Sequence, residues 1–454
     1  MALRSKIVPL VVASPLFLQN VDSSAMATAL PSIASSLNVD VLHLNLAITA
    51  YLLSLAVFLP LSGWVAERFG AKRVFCTAIA MFSLGSALCG TADSLSSLVL
   101  YRILQGLGGA MMLPVGRLIL LRSVPATQLI AAMVWFTVPP VIGRLLGPLL
   151  GGAIVTWTSW RWIFLVNIPF GLLSIALAML FIDDSKEVAS TRSFDLGGFL
   201  LLAFGLTGMI GALEAAGKGL LPSWAVGLIG AAGLLATVIY CRRSKADPII
   251  DLAILWHPTY RTSIIGGAPL RIAVGASPFL LPLMLQLGFG LSALDAGLLT
   301  MATAVGSLAT RTVMVKAIRL IGYRSLLITT TALTSLIYAS YAMFTAQTPH
   351  PLMFGVLVIG GLVNALGMVA LQTLGYSEIP KPHMSHASTL ASMAQQLCVS
   401  LGVMFGASLL GAAVWWRGGT ASLIAADFSP AFVAIGAMTL LSLAFFLRLK
   451  KDVE

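Results

Sequence analysis

About fourteen apolar stretches, each near the ~20 residues that cross a bilayer as a helix, run through this chain from end to end. They fall at 7–30, 44–65, 74–89, 95–121, 129–157, 162–182, 196–213, 224–241, 263–287, 296–315, 325–344, 352–373, 387–414 and 431–447. No run is flanked by a polar segment large enough for a soluble domain. Only 9% of the 454 residues are charged, against about 25% in soluble domains. The pattern therefore predicts an all-α polytopic membrane protein. The net charge of +11 does not point to nucleic acid, because the basic residues punctuate apolar runs and form no folded patch.

Basic residues sort by connector. With the N-terminus inside, the inner segments carry Arg4, Lys6, Arg68, Lys72, Arg73, Arg122, Lys186, Arg192, Arg242, Arg243, Lys245, Arg261, Lys316, Arg319, Arg324, Lys381, Arg448, Lys450 and Lys451; the outer ones carry only Arg161, Lys218 and Arg417. Cationic short loops stay cytoplasmic, so both termini are placed inside the cell. Arg4 and Lys6 before an apolar run, with Ala25-Met26-Ala27 further on, imitate a signal peptide. Gln19, Asn20, Asp22, Ser23 and Ser24 interrupt that run, which favours a retained first membrane helix.

Between the second and third runs lies Gly63-Trp64-Val65-Ala66-Glu67-Arg68-Phe69-Gly70-Ala71-Lys72-Arg73, read as a short turn. Gly63 allows close helix approach and Gly70 a tight turn. The spacing of Gly63, Glu67, Arg68, Gly70, Lys72 and Arg73 resembles the loop that marks the major facilitator superfamily, with Glu67 for the usual Asp. A degraded repeat, Lys316 to Arg324, keeps Gly322 and Arg324 in the second half. The resemblance implies two six-helix bundles with substrate bound between them near the midplane. Two charged connectors, 183–195 and 242–261, set off an extra pair of helices. The expected division is 1–182, a linker with two inserted helices at 183–261, and 262–454.

Three further motifs narrow the resemblance. Val21 to Pro31, with Asp22 and Ser24, is similar to the first-helix motif of the fourteen-helix drug:proton antiporter branch. Asp22 reads as the only acid well inside any run. Burial and a neighbouring Arg act oppositely on such a carboxylate's proton affinity, which suits a group that takes and loses protons. Leu98 to Ala110 resembles the family's fourth-helix motif, in which the Arg is linked to proton transfer. Arg102, Gln105, Gly106 and Gly109 share one stripe there; snorkelling of Arg102 to the outer interface is the plain alternative. Gly143-x-x-x-Gly147-Pro148-x-x-Gly151-Gly152 resembles the antiporter motif of the family's exporters, with a groove of glycines for another helix and a bend at Pro148. Pro114 to Leu118, Ser159 to Pro169 and Phe194 to Phe199 extend the likeness.

The resemblance implies a secondary transporter, a proton-coupled exporter of small organic molecules across the bacterial cytoplasmic membrane by alternating access, and no enzyme. Asp22 is the coupling carboxylate, Arg102 its modulator, and Gly63 to Arg73 a latch. Arg102, Arg117, Arg144, Arg271 and Arg311 fall within apolar runs. Arg144 and Arg271 lie nearest mid-helix, one in each half, so they, with Gln105 and Asn20, are the candidate substrate contacts. Forked donors suit a carboxylate; a dedicated exporter of an anionic di- or tricarboxylate or chelator thus stands beside a drug exporter. A channel or a membrane enzyme are rival classes, but the five histidines lie outside or at the edges of the runs. His383 and His386 near Glu378 read as a solvated loop, with no metal site. Cys76, Cys89, Cys241 and Cys398 read as buried inert thiols. Trp415 and Trp416 read as interface anchors. Expected partners are a small molecule that is drug-like or an organic anion, protons and the bilayer. No cofactor and no nucleic acid are expected, and the protein should work as a monomer.

Overall fold

The computed structural model describes residues 4–124, 128–183, 194–218, 221–243, 249–380, 383–418 and 423–449. Lys186, Arg192, Lys245, Lys381, Lys450, Lys451, most of the first connector and 244–248 of the second lie outside the described residues, as do the side chains of Arg4, Lys6, Lys218 and Arg311.

The described residues are helical almost throughout. Twelve helices are long and apolar enough to cross a membrane. A thirteenth span is a pair, α2 (Asn45–Phe58) and α3 (Leu61–Phe69), bent by 57°. The remaining one, α1 (Arg4–Leu37), is 34 residues long; its inward polar residues dilute its hydropathy. Then follow α4 (Ala71–Gly90), α5 (Leu95–Ser123), α6 (Leu129–Trp157), and α7 (Trp162–Leu165) with α8 (Asn167–Phe181) as one broken span. The inserted pair is α9 (Leu196–Lys218) and α10 (Ser223–Arg242). After it come α11 (Pro258–Arg261) and α12 (Ala268–Leu283), then α13 (Ala293–Tyr341), α14 (His350–Tyr376), α15 (Met384–Trp416), and α16 (Ala425–Thr439) with α17 (Leu443–Phe446).

Sequence and structure differ at the turn between the second and third spans. Most of it is helix: α3 holds Gly63 to Phe69, and only Gly70, at φ 90° and ψ 131°, is non-helical. Pro60 at the head of α3 cannot donate to the helix before it, which fits the bend. Gly63 does not serve close approach, since a Cβ there meets nothing within 4 Å. The second half repeats the device. α13 is two spans, Ala293–Thr310 and Lys316–Tyr341, and Gly322 interrupts it at φ 72° and ψ 165°. Two residues beyond each glycine a cation caps a helix end, Lys72 Nζ donating to Met179 O at 3.0 Å and Arg324 Nη2 to Leu447 O at 2.9 Å. Cations suit the negative end of a helix dipole. The degraded sequence repeat is thus a preserved backbone repeat.

Glycines set how near the helices come. A Cβ at Gly151 of α6 would lie 2.7 Å from Ala25 Cα of α1, and one at Gly143 would lie 3.3 Å from Asn20 Cβ. Gly147 faces Ser24. The opposite side of the same motif meets the other half of the molecule. Gly152 abuts Ala293 and Leu294 of α13, and Pro148 O abuts Gly297. α6 continues as one helix through Pro139, Pro140 and Pro148.

The end bearing Gly70 is the basic end. Towards the opposite end the two halves share one apolar core: Leu30 and Ile33 of α1 belong with Phe279, Leu283 and Met284 of α12 and its extension, and with Phe428 and Phe432 of α16. Gln286 Nε2 donates to Thr28 O across the halves at 2.8 Å. Towards the basic end each half has a core of its own, around Val12, Phe75 and Ile119 in one and Leu326, Leu371 and Phe446 in the other, and a smaller core with Tyr240, Ile250 and Tyr260 joins Ala56 of α2 to Ala387 and Leu390 of α15. The halves are sealed together at the end away from the basic turns. Glu67, Arg68 and Arg73 are exposed and make no ion pair or side-chain hydrogen bond among the described residues.

The inserted pair packs through glycines, Gly208 facing Gly233. It reaches the first half through Trp64–Phe194 and Phe58–Phe199 ring contacts, 4.8 and 5.9 Å between centroids, and through Asn45 Nδ2 to Glu214 Oε1 at 3.5 Å. Glu214, two residues from the end of the span Leu196–Ala216, is also buried, so Asp22 is not alone as a buried acid in a membrane helix, though it lies deeper within its own. Cys241 corrects one expectation, being exposed. His383 Nδ1 lies 3.6 Å from Asp251 Oδ2. Trp415 and Trp416 are exposed at the end of α15.

The backbone at Gly70 and Gly322 gives a first prediction. Valine at either position is forced into a left-handed conformation and should cost about 1–3 kcal/mol. Gly63→Ala should be nearly neutral. Thermal unfolding of the three purified variants in detergent checks this; equal melting points for Gly63→Ala and Gly70→Val would contradict the backbone assignment.

Candidate functional site

Asp22 and Arg102 meet in the middle of the first half. Arg102 Nη1 lies 2.6 Å from Asp22 Oδ2, with side chains 1% and 0% exposed. Arg102 therefore does not snorkel to the interface. Sequence puts both at comparable depth: Asp22 is 18 residues from the start of α1, and Arg102 is 21 residues from the end of the antiparallel α5.

A charge removed from water needs its hydrogen-bonding capacity met, and four other helices contribute. Gln105, one turn along α5, donates from Nε2 to Asp22 Oδ1 at 3.1 Å and accepts from Arg102 Nη1 through Oε1 at 2.6 Å. Asn167, the first residue of α8, donates from Nδ2 to the same Asp22 Oδ1 at 3.0 Å and to Ser86 Oγ of α4 at 2.9 Å. Ser86 in turn donates to Phe164 O of α7 at 2.9 Å. The Arg102 guanidinium lies over the rings of Tyr51 of α2 and Phe164, 4.5 and 5.4 Å from their centroids. A cation over an aromatic face gains from the ring quadrupole, and more so when desolvated. Gln19 Nε2 donates to Tyr51 OH at 3.1 Å.

Small residues make this convergence possible. A Cβ at Gly85 of α4 would stand 2.6 Å from Gln105 N, and one at Gly106 of α5 would stand 2.6 Å from Ser54 Cβ of α2. The glycine stripe on α5 therefore serves packing around the ion pair.

Of the candidate substrate contacts, Gln105 is fully buried and belongs to the ion-pair network. Arg144 is exposed, and its Nη2 donates to Asn20 Oδ1 of α1 at 3.2 Å. Asn20 also donates to Leu16 O at 2.8 Å. Arg271 is buried in the other half; its Nε donates to Gln395 Oε1 of α15 at 3.1 Å and its Nη1 to Ser263 O. Arg271 is thus satisfied within its own half. Arg117 is exposed, and its Nη1 reaches Ser388 Oγ of α15 at 3.4 Å.

Sequence reasoning missed Asn167, Ser86, Tyr51 and Phe164 as partners of the pair. Asn167 carried a usable signal, a carboxamide inside an apolar run. Ser86 and Tyr51 carried none, because serine and tyrosine are ordinary in membrane helices.

The buried pair makes a second prediction. Arg102→Met leaves a buried carboxylate without its counter-charge, which costs about 3–5 kcal/mol. Adding Asp22→Asn should restore most of that loss. Thermal unfolding of the two single variants and the double tests it; strictly additive losses would mean that the pair is not coupled.

Comparisons with known proteins agree with this geometry. The sequence model described as Major Facilitator Superfamily matches residues 16–402. The chain is 40% identical over 408 residues to a Citrobacter koseri protein and 38% identical over 406 residues to one of Salmonella typhimurium, each bearing the name "Putative multidrug resistance protein MdtD"; the matches cover 88% of this chain and 85% of each relative. Among solved structures, the D-xylose-proton symporter aligns with a TM-score of 0.69 at 16% identity, over 97% of both chains. A point mutant of the nucleoside transporter NupG aligns with a TM-score of 0.67 at 12% identity, over 99% of both chains. With a family match through most of its length and a helical fold built from two related halves, this chain is a membrane transporter that belongs to the Major Facilitator Superfamily.

Proposed function

We propose that this protein is a proton-coupled exporter of small, drug-like organic molecules across the bacterial cytoplasmic membrane. The carrying observation is the buried Asp22–Arg102 pair, held by the neutral amides of Gln105 and Asn167. The basic end is the cytoplasmic one, with both termini there, as the charge bias of the connectors supports. The moving bodies are residues 1–182 and 262–454, with 183–261 between them, and a single chain is the working unit.

The chemistry follows from the pair. While Asp22 is ionised, its charge and that of Arg102 cancel. A proton that binds Asp22 releases the guanidinium, which keeps Gln105 Oε1 and the two aromatic faces as partners. Protonation thus changes the net charge of the site by one and loosens the α1–α5 tie, so both bundle geometry and substrate affinity can respond to it. The Gly63 to Arg73 segment acts as the latch; Glu67, Arg68 and Arg73 make no ion pair among the described residues while the opposite end is sealed, as a released latch requires. The antiporter motif keeps the sealed end tight, through Gly151 against α1 and Gly152 and Pro148 against α13.

Arg144 with Asn20 is the most accessible of the candidate substrate contacts, whereas Arg271 acts from behind the surface by orienting Gln395. The relatives' names support drug-type substrates over dedicated export of a carboxylate.

Two experiments in proteoliposomes test the reading. Asp22→Asn should insert normally, lose proton-driven accumulation and keep substrate counterflow, since exchange need not move protons. Full pH-driven transport by that variant would sink the coupling role. Arg144→Ala should raise the half-saturating substrate concentration several-fold with little change in maximal rate, because uniform binding is what it removes. Unchanged saturation would place Arg144 outside the substrate path.

A further inference from the structure

The Asp22 network contains two buried atoms that its own hydrogen bonds leave unused among the described residues, Arg102 Nε, whose guanidinium lies over two rings, and Asn167 Oδ1. Asn167 is 1% exposed, and its Oδ1 has no hydrogen-bond partner among the described residues. The orientation of the amide is fixed by its neighbours. An ionised Asp22 can only accept, and Ser86 spends its one proton on Phe164 O. Both groups therefore require donors, and the Asn167 amino group supplies its two hydrogens, one to each. The carbonyl oxygen is turned away into the protein with nothing to accept. A buried polar atom left unsatisfied costs roughly 1–3 kcal/mol, so a residue that keeps one at such a site calls for an explanation.

We propose that Asn167 is an amide switch for the coupling proton, a positioning residue that holds Asp22 in both protonation states by turning over. The inference rests on the reading of Asp22 as the proton carrier. When a proton arrives, an O–H bond forms on Asp22 and the carboxyl becomes a donor in need of an acceptor. Rotation of the Asn167 amide by half a turn puts Oδ1 where Nδ2 stood and Nδ2 where Oδ1 stood, so the unpaired position passes from the oxygen to the amino group while Asp22 gains its acceptor. That oxygen has two lone pairs; it accepts from the carboxylic acid and from Ser86 Oγ, whose proton swings away from Phe164 O. On deprotonation the amide turns back. Arg102 keeps its proton throughout, and one proton enters and leaves.

No other neighbour does both jobs. The charged and titratable groups that face Asp22 among the described residues are Tyr51 from α2, Cys89 from α4 and Arg102 from α5. Arg102 can only donate. Gln105 already uses both ends of its amide, donating to Asp22 and accepting from Arg102, with Cys89 Sγ also directed at its Oε1 at 3.8 Å. The Tyr51 hydroxyl is bonded by Gln19. Asn167 stands at the break between α7 and α8, so its side chain enters from a helix start.

The test uses the whole protein in proteoliposomes and reads the pH profile. Asn167→Leu keeps the volume and removes both donor and acceptor. Counterflow should persist, while proton-driven transport falls at least about tenfold at every pH, because neither charge state of the carboxyl keeps its Asn167 partner. Asn167→Gln keeps an amide and should restore part of the coupling. A Leu variant that keeps proton-driven transport, or that loses counterflow and proton-driven transport together, overturns the switch and leaves Asn167 a packing residue. If the Leu variant does not insert, infrared difference spectra of the native protein with carbon-13 asparagine decide. Acidification should shift a side-chain amide band together with the appearance of the protonated carboxyl, and both signals should vanish in Asp22→Asn. A carboxyl signal without an amide shift overturns the proposal. Failure of the exporter reading looks different: Asp22→Asn then transports normally and shows no missing carboxyl band.

Discussion

Bringing a carboxylate and a guanidinium out of water is the costliest act in this fold. The effective desolvation penalty is several kcal/mol per ion, and only close pairing with full hydrogen bonding offsets it. Five of the six spans in the first half serve that end. α1 carries Asp22, α5 brings Arg102 and Gln105, α2 and α7 supply the aromatic faces, and α4 and α8 supply Ser86 and Asn167. The glycines at 85 and 106 let backbones come near enough for these side chains to meet. A site so nearly satisfied is stable in one charge state, and the change of a single proton alters the balance of all its bonds. On the proposed reading, that is how a proton would be coupled to a movement of helices.

The remaining span of the first half, α6, does a different task. Its glycines at 143, 147 and 151 fit it to α1, and Pro148 and Gly152 fit it to α13 of the other half. One short motif thus ties the helix that bears Asp22 to the seam between the halves. Backbone-to-backbone contact of this kind tolerates no added methyl group, which makes the seal an all-or-none contact. Towards the opposite end each half has an apolar core of its own, a third core joins Ala56 of the first half to Ala387 and Leu390 of the second, and the left-handed glycines at 70 and 322 occupy matching points of the two halves. The cation two residues past each glycine caps the last helix of its own half. This correspondence shows the duplication more clearly than the residues do, because backbone geometry and end charge persist where side chains have diverged.

The inserted pair is attached to the first half at two depths, by the rings of Phe194 and Phe199 near the basic end and by Glu214 at the other. It is joined to the second half through the segment that follows it, where Tyr240 OH donates to Ile250 O at 3.1 Å and Tyr260 OH to Ala387 O at 2.6 Å. Trp64 lies within the Gly63 to Arg73 segment, so the pair touches the element that distinguishes the two ends of the molecule.

Hydropathy by itself determined that the chain is a bundle of membrane helices, and it set their number and nearly all their limits, because a bilayer admits few other solutions for an apolar backbone. Residue types at helical spacing also singled out Asp22, Arg102 and the α6 glycines, since an ion or a glycine repeat in such a helix is rarely idle. What sequence could not decide was which helix faces which. Gln105 reads equally well as a cavity residue or as a partner of Asp22, and Arg271 as a substrate contact or as a residue satisfied by Gln395 and Ser263. Gly63 read as a contact point and meets nothing, while Glu214, at the limit of an apolar run, is buried. Rotation of a helix about its axis leaves its composition unchanged, so only the packed structure, where each side chain meets its partner or its solvent, fixed these assignments and drew Asn167 and Ser86 into the site.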